Sequence, residues 1–448
     1  MITTSSHENL QALLEQESLD PSPPQKPGLL GRVLAPISPS SLRLAVINIV
    51  ICIVSNSLFV FPIAFRAYGI YVGVGLLLVS NIMNFLTCKY IYEASEFIND
   101  NNYLKIIGAL LGERFVRVAK FTFLMDYFSN YMISILMGWN ITQYILVCQG
   151  FIGPDAIINQ DTLEINPYNQ QVLNFRFVFL VIVFVVFTPI ISGKNQELMK
   201  FIMIGYLAAF AVFILYSSYD LLDFYHYYSS IGKHTITYYT HFSEEWFKYL
   251  FIIITAFYIQ PSLMTVKSEI LNPNLRRVIK SARIAYIYLT FISIICGLYS
   301  YLCLGDFFTS DVFMLRKSFE GKKREVIYKS LLAAIALMSL LYAKFYHSNM
   351  KFFLAHNYFN QSTYQFLYLI PWVCALLLTM AYPKIINFLG YNSVTIFILN
   401  GYCFPIMLKR KILLLSEKSC WKIMLCDFSL IGLIVLGAIS LFALLTSN

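Results

Sequence analysis

Two polar interruptions inside long apolar runs are the places where this chain could do chemistry. One is Ser55-Asn56-Ser57, ahead of Pro62, in the run from Leu44 to Phe65; the other is Gln260-Pro261, in the run from Trp246 to Val266. Hydrocarbon offers peptide groups no water, so a spanning helix keeps its hydrogen-bond ladder unless the break is buried in protein or lines a cavity. A break places freed N–H groups and the positive end of a half-helix in the membrane interior. Matching breaks in the two halves of a membrane protein point to a binding site at the bilayer midplane. The residues at these breaks are Ser55, Asn56, Ser57 and Leu58 in the first, and Ala256, Phe257, Tyr258 and Gln260 in the second.

The second set of reactive residues is ionisable. Asp126 and Lys344 are the charges most nearly enclosed in apolar runs. A charge at the centre of a spanning helix costs about 2.5–3.5 kcal/mol on insertion scales, so such residues pair or carry ions and protons. Asp126 and Lys344 are candidates to pair with each other; the alternative is that Lys344 snorkels to the headgroups and Asp126 faces a wet vestibule. Glu269, just past the second break, is a candidate gate residue or proton carrier, set beside Lys267 and Arg276. The histidines His226, His234 and His241 share one loop but lack the spacing of a zinc site, and no cofactor or metal is implied. No nucleophile with a nearby base and no phosphate-cradling loop appears, which argues against an enzyme.

The elements that must position these residues are membrane helices. Over 448 residues, 58% are hydrophobic, 17% aromatic and only 13% charged; soluble domains carry about 25% charged residues. A span needs about 20 apolar residues, and eleven segments qualify: 44–65, 70–92, 118–147, 175–192, 198–218, 247–266, 282–304, 326–346, 364–382, 387–408 and 424–446. The expected fold is an all-α membrane protein. Residues 1–42, with Pro21, Pro23, Pro24, Pro27 and clustered Ser, are expected to form a disordered tail ahead of a transmembrane domain at 43–448. The net charge of +9 comes from basic residues that gather in loops on one side, including Arg276, Arg277, Lys280, Lys409, Arg410 and Lys411. That pattern marks the cytosolic side and the N-terminus with it, and makes nucleic acid an unneeded explanation of the charge. The segment with Arg316, Lys317, Lys322, Lys323 and Arg324 falls on the far side, against the trend.

Read closely, SNSLFVFPIAFRAYG (Ser55 to Gly69) resembles the opening signature of the amino acid/auxin permease family, GxGxLxLPxAFxxxG. AFYIQPSLMTVKSEILNPNLRR (Ala256 to Arg277) is similar to that family's aromatic-x-x-His-Pro stretch followed by an acidic residue and Leu-x-x-Pro. TPIISGKNQEL (Thr188 to Leu198) and SYLCLGD (Ser300 to Asp306) add two further likenesses in the expected order. The resemblance implies a leucine-transporter-type fold. Spans one to five (43–218) and six to ten (246–408) would form a 5+5 inverted repeat, and 424–446 an extra span. Freed N–H groups at the midplane would hold a carboxylate and freed carbonyls an ammonium, so an amino acid is the expected ligand, with Tyr131, Phe257 and Tyr258 shaping its pocket. Ser55 and Ser57 stand where the family has glycines, and Gln260 stands for its histidine. Ile51 stands where sodium-coupled members have a cation-ligating Asn, while Ser339 in span eight could still supply an oxygen.

The expected function is therefore secondary transport of neutral amino acids by alternating access, proton-coupled or exchanging rather than sodium-coupled. The alternative is a non-transporting membrane sensor of amino acids with the same fold. The membrane is the plasma membrane or, given ENLQALL (Glu8, Leu13-Leu14) in the tail, a vacuolar or lysosomal one.

Overall fold

The computed structural model describes residues 41–57, 60–159, 164–192, 205, 212, 236–240, 244–268, 270, 272–304, 329–337, 339–341, 343–344, 346, 350, 369–382, 385–417 and 420–446. Leu58, Glu269, the histidine loop, all but two positions of the fifth expected span, and the tail as far as residue 40 lie outside them. The described residues belong to one compact unit, Ser40–Asn448.

The fold is all-helical apart from a two-stranded antiparallel ribbon, Ile157–Asn159 with Glu164–Ile165. Helix α1 is Leu42–Ser57, α2 Val60–Ile98, α3 Tyr103–Leu111 and α4 Glu113–Cys148. Next come α5 (Gln170–Ile182), α6 (Thr188–Ser192), α7 (Glu244–Ile254) and α8 (Leu263–Ser268). They are followed by α9 (Leu275–Leu304), α10 (Ile370–Ala381), α11 (Ile385–Asn392), α12 (Phe404–Leu415) and α13 (Cys420–Thr446). Described residues between 329 and 341 are helical too.

Five helices among the described residues are long and apolar enough to cross a membrane: Ala64–Ile98, Gln170–Ile191, Leu275–Ile295, Asn387–Leu415 and Cys420–Thr446. This is a membrane-embedded protein. The Asn387–Leu415 span differs from the others, with 72% of its most apolar stretch buried against 28–39% for the other four, which makes it an interior helix wrapped by protein. The outward faces of the others are apolar, as with Trp421, Leu425, Phe428 and Ile431 on α13, the surface that lipid requires.

Three local features have readable causes. Helix α2 turns a corner at Gly69, where φ is 75°, a conformation open to glycine because it lacks a Cβ. The corner is clamped by residues 236–240: Ile70 N–H donates to Thr237 O at 3.3 Å, Tyr71 N–H to Tyr238 O at 3.3 Å, and Thr240 Oγ1 to Ala67 O at 3.1 Å. The other two are π-helical stretches, Val183–Phe187 running into Pro189 and Leu399–Cys403 running into Pro405. Proline brings no N–H and crowds the carbonyl four residues earlier, so the ladder slips ahead of it.

Helix α9 lies against α1 and α2, α4 against α10, and α13 against α7 and α12. Glycines permit the closest approaches. At Gly297 of α9 a Cβ would sit 2.6 Å from Phe65 Cε2, and at Gly401 a Cβ would sit 2.8 Å from Tyr258 Cδ2.

Candidate functional site

The second interruption is a broken helix. α7 ends at Ile254, residues 255–259 are not α-helical, a 3-10 turn covers Gln260–Ser262, and α8 resumes at Leu263. Pro261 explains why: it crowds the carbonyl four positions back, that of Phe257, and disfavours helix at Gln260 before it. Unwinding thus begins upstream of the Gln260-Pro261 pair that the sequence points to.

The carbonyls released by the break are taken up by side chains from other helices. Ser80 Oγ donates to Ile253 O at 2.8 Å and to Ile254 O at 2.9 Å. Asn84 Nδ2 and the Tyr402 hydroxyl also donate to Ile254 O, at 2.8 and 2.6 Å. The Phe257 carbonyl receives the Tyr286 hydroxyl at 3.0 Å. Gln260 knits the turn together: its Oε1 accepts from Ile259 N–H at 2.9 Å, and its Nε2 donates to Thr87 Oγ1 at 2.7 Å and Asn84 Oδ1 at 3.2 Å. Every one of these side chains is buried, where an unmet peptide group would cost several kcal/mol.

Around the break lies a polar interior shared by α4 and the Asn387–Leu415 span. Thr122 Oγ1 donates to Asn400 Oδ1 at 2.6 Å, Asn400 Nδ2 to Thr122 O at 3.2 Å, and Ser129 Oγ to Asn392 Oδ1 at 2.8 Å. Thr255, the first unwound residue, donates to Ser393 Oγ at 2.8 Å. Interhelical bonds of this kind join membrane helices at about 0.6 kcal/mol each, up to about 1.7.

The residues singled out from sequence are placed as follows. Ala256, Phe257, Tyr258 and Gln260 sit together at the break. Phe257 stacks on Phe61 of α2 at 5.6 Å between ring centroids, and Tyr258 on Phe397 at 4.7 Å. Ser55, Asn56 and Ser57 have helical backbone and form the last turn of α1, so unwinding does not begin within them; Leu58, the next residue of the expected break, lies outside the described residues. Ser and Asn tolerate helical geometry when no proline follows within a turn, and Pro62 is five residues beyond Ser57. Tyr131 is fully buried and lies edge-on to Trp372 of α10 at 5.8 Å.

Asp126 and Lys344 are both 2% exposed, yet they form no ion pair. The four described salt bridges join Lys89 and Lys409 to Glu93, Lys105 to Asp100, and Arg410 to Asp427. Asp126 instead accepts from Asn130 Nδ2 at 3.2 Å, one helical turn along. The pairing expected from sequence is therefore corrected: a side chain on its own helix serves the carboxylate. Ser339 is buried and bonds back to Ile335 O at 2.9 Å, the ordinary use of a helical serine.

Sequence reasoning missed Ser80, Asn84 and Thr87 of α2, together with Tyr286, Asn400 and Tyr402. The spacing of the first three, four and then three residues apart, is a polar stripe on one face of an apolar helix, and it was there to be read. A scan against protein-family models and a search of curated proteins both found no match to this chain.

Proposed function

We propose that this protein is an eleven-span secondary transporter of neutral amino acids, of the amino acid/auxin permease type, built on the 5+5 inverted repeat with one extra span. The observation that carries the reading is the unwound stretch 255–259, which falls inside the motif that resembles the family's second signature and faces a buried polar interior. A break of this kind has a cost in hydrocarbon and persists where it serves a site. The Phe61–Phe257 stack, which joins the outer part of span one to the break in span six, supports a site between those spans. Movement of spans one and six against spans three, four, eight and nine would open the site to alternate sides, the bound amino acid biasing which side is open. Proton coupling or exchange is favoured over sodium coupling, because Ile51 supplies no side-chain oxygen. The protein would sit in the plasma membrane or a vacuolar or lysosomal membrane with its N-terminus in the cytosol.

One observation favours a second reading, a sensor with the same fold. The carbonyls of Ile253, Ile254 and Phe257 are already occupied by protein donors and so are not free to receive an ammonium. Counterflow of labelled amino acids into liposomes carrying the purified protein separates the two. A transporter concentrates label against an unlabelled internal pool; a sensor binds without moving it.

A further inference from the structure

Asp126 is almost wholly buried, accepts a hydrogen bond from Asn130, and takes part in none of the described salt bridges. Facing it is the hydroxyl of Tyr258, in the unwound stretch. That hydroxyl is buried and, although turned to both Asp126 and the Asn400 amide, makes a hydrogen bond of ordinary geometry with neither. A buried hydroxyl with no partner is costly to keep, because its desolvation is not repaid. Its ring is held by the stack on Phe397 and by Gly401, where a Cβ would come 2.8 Å from Cδ2. Asn400 is engaged with Thr122 through both ends of its amide.

We infer that Asp126 and Tyr258 form a proton-binding site linking the break in span six to α4: the ionised carboxylate accepts the Tyr258 hydroxyl, and a proton arriving on Asp126 releases it. The proton adds to a carboxylate oxygen, and no covalent bond breaks. This deepens the transporter reading and rests on it for its role in coupling, but the site itself stands on the geometry. Besides Tyr258, the titratable group that faces Asp126 is Tyr127 on its own helix, and Tyr103 of α3 faces Tyr258. A hard metal cation would gather six or more oxygens. Asn130 turns its amide nitrogen toward Asp126, which suits a proton and repels a metal ion.

The test uses the full chain, purified, as wild type, Asp126→Asn and Tyr258→Phe. Infrared difference spectra between acid and alkaline buffer should show a carboxylic-acid carbonyl band in wild type that Asp126→Asn lacks. In Tyr258→Phe the band should survive with proton affinity raised about ten-fold, a displacement of about one pH unit. In liposomes, an inward proton gradient should drive amino acid accumulation by wild type and not by Asp126→Asn. A band that persists in Asp126→Asn overturns the site, as does a sodium gradient that drives uptake where a proton gradient does not. If Asp126→Asn fails to fold, Tyr258→Phe decides, because an unmoved band overturns the pairing. Absence of counterflow in wild type removes the transporter reading and leaves the infrared result to judge the site.

Discussion

Replacing Asn84 with Leu, which keeps the branched heavy-atom skeleton but no polar atom, removes a side chain that ties the break in span six to α2 and to Tyr402. Asn84 donates to Ile254 O at 2.8 Å and to the Tyr402 hydroxyl at 2.6 Å, and accepts from Gln260 Nε2 at 3.2 Å. Those are three interhelical bonds, each worth about 0.6 kcal/mol, so their loss comes to about 2 kcal/mol. The figure stays near that sum because no partner is stranded. Ile254 O keeps Ser80 and Tyr402, and Gln260 Nε2 keeps Thr87, so the larger penalty for a buried unmet group does not apply. Asn81 is the internal control, three positions away on the same helix, with an interhelical bond to Tyr286 O at 3.1 Å. Asn81→Leu should cost about 0.6 kcal/mol. Reversible unfolding of the purified proteins in mixed micelles gives both values. Equal losses, or a larger loss for Asn81→Leu, would refute the claim that the break is held by side-chain donors from α2.

Other substitutions probe different joints. Gly69→Ala places a Cβ 2.8 Å from Tyr238 O and 2.9 Å from Tyr239 N at a φ of 75° and ψ of 174°; that backbone conformation, essentially confined to glycine, alone costs about 1–3 kcal/mol, so the variant should lose at least about 1 kcal/mol of stability, and a neutral result would contradict the clamp at this corner. Tyr286→Phe takes the hydroxyl donor from the buried Phe257 carbonyl and should cost about 1–2 kcal/mol, with faster amide exchange over residues 255–259 as the local readout. Gly401→Ala drives a methyl into the Tyr258 ring and should weaken amino acid binding at least ten-fold, measured by ligand-induced thermal shift, if Tyr258 lines the site. Arg410→Gln breaks a pair with Asp427 whose two side chains are each 40% exposed; it should change stability by less than about 1 kcal/mol, a difference that vanishes at high salt.

Much of the architecture was legible because the bilayer imposes simple demands. Apolar length marked each of the five spans found among the described residues, and the boundary expected between residues 65 and 70 coincides with the corner at Gly69. Gln260-Pro261 marked the broken helix, since proline acts locally. Two things were hidden. Proline sets where the ladder fails, but how far it unwinds depends on donors as distant as Asn84, 170 residues from the carbonyl it serves. The polarity of Ser55-Asn56-Ser57 suggested unwinding, yet with no glycine among them and Pro62 more than a turn away those residues are helical. For Asp126, charge alone suggested a lysine partner; an asparagine one turn away meets the carboxylate locally, and no sequence pattern weighs those two solutions. The π-helical stretches before Pro189 and Pro405 were readable from the prolines, whereas the one at Ser393–Phe397, with no proline beside it, was not.

Hydrogen–deuterium exchange across residues 244–268 of the protein in nanodiscs, with and without a panel of neutral amino acids, asks most directly whether the unwound stretch of span six is the binding site. Exchange at 255–259 should be faster than in α7 and α8 and should slow when a cognate amino acid is added, while the flanking helices hardly change. Uniform protection across the whole segment, indifferent to every amino acid, would contradict it.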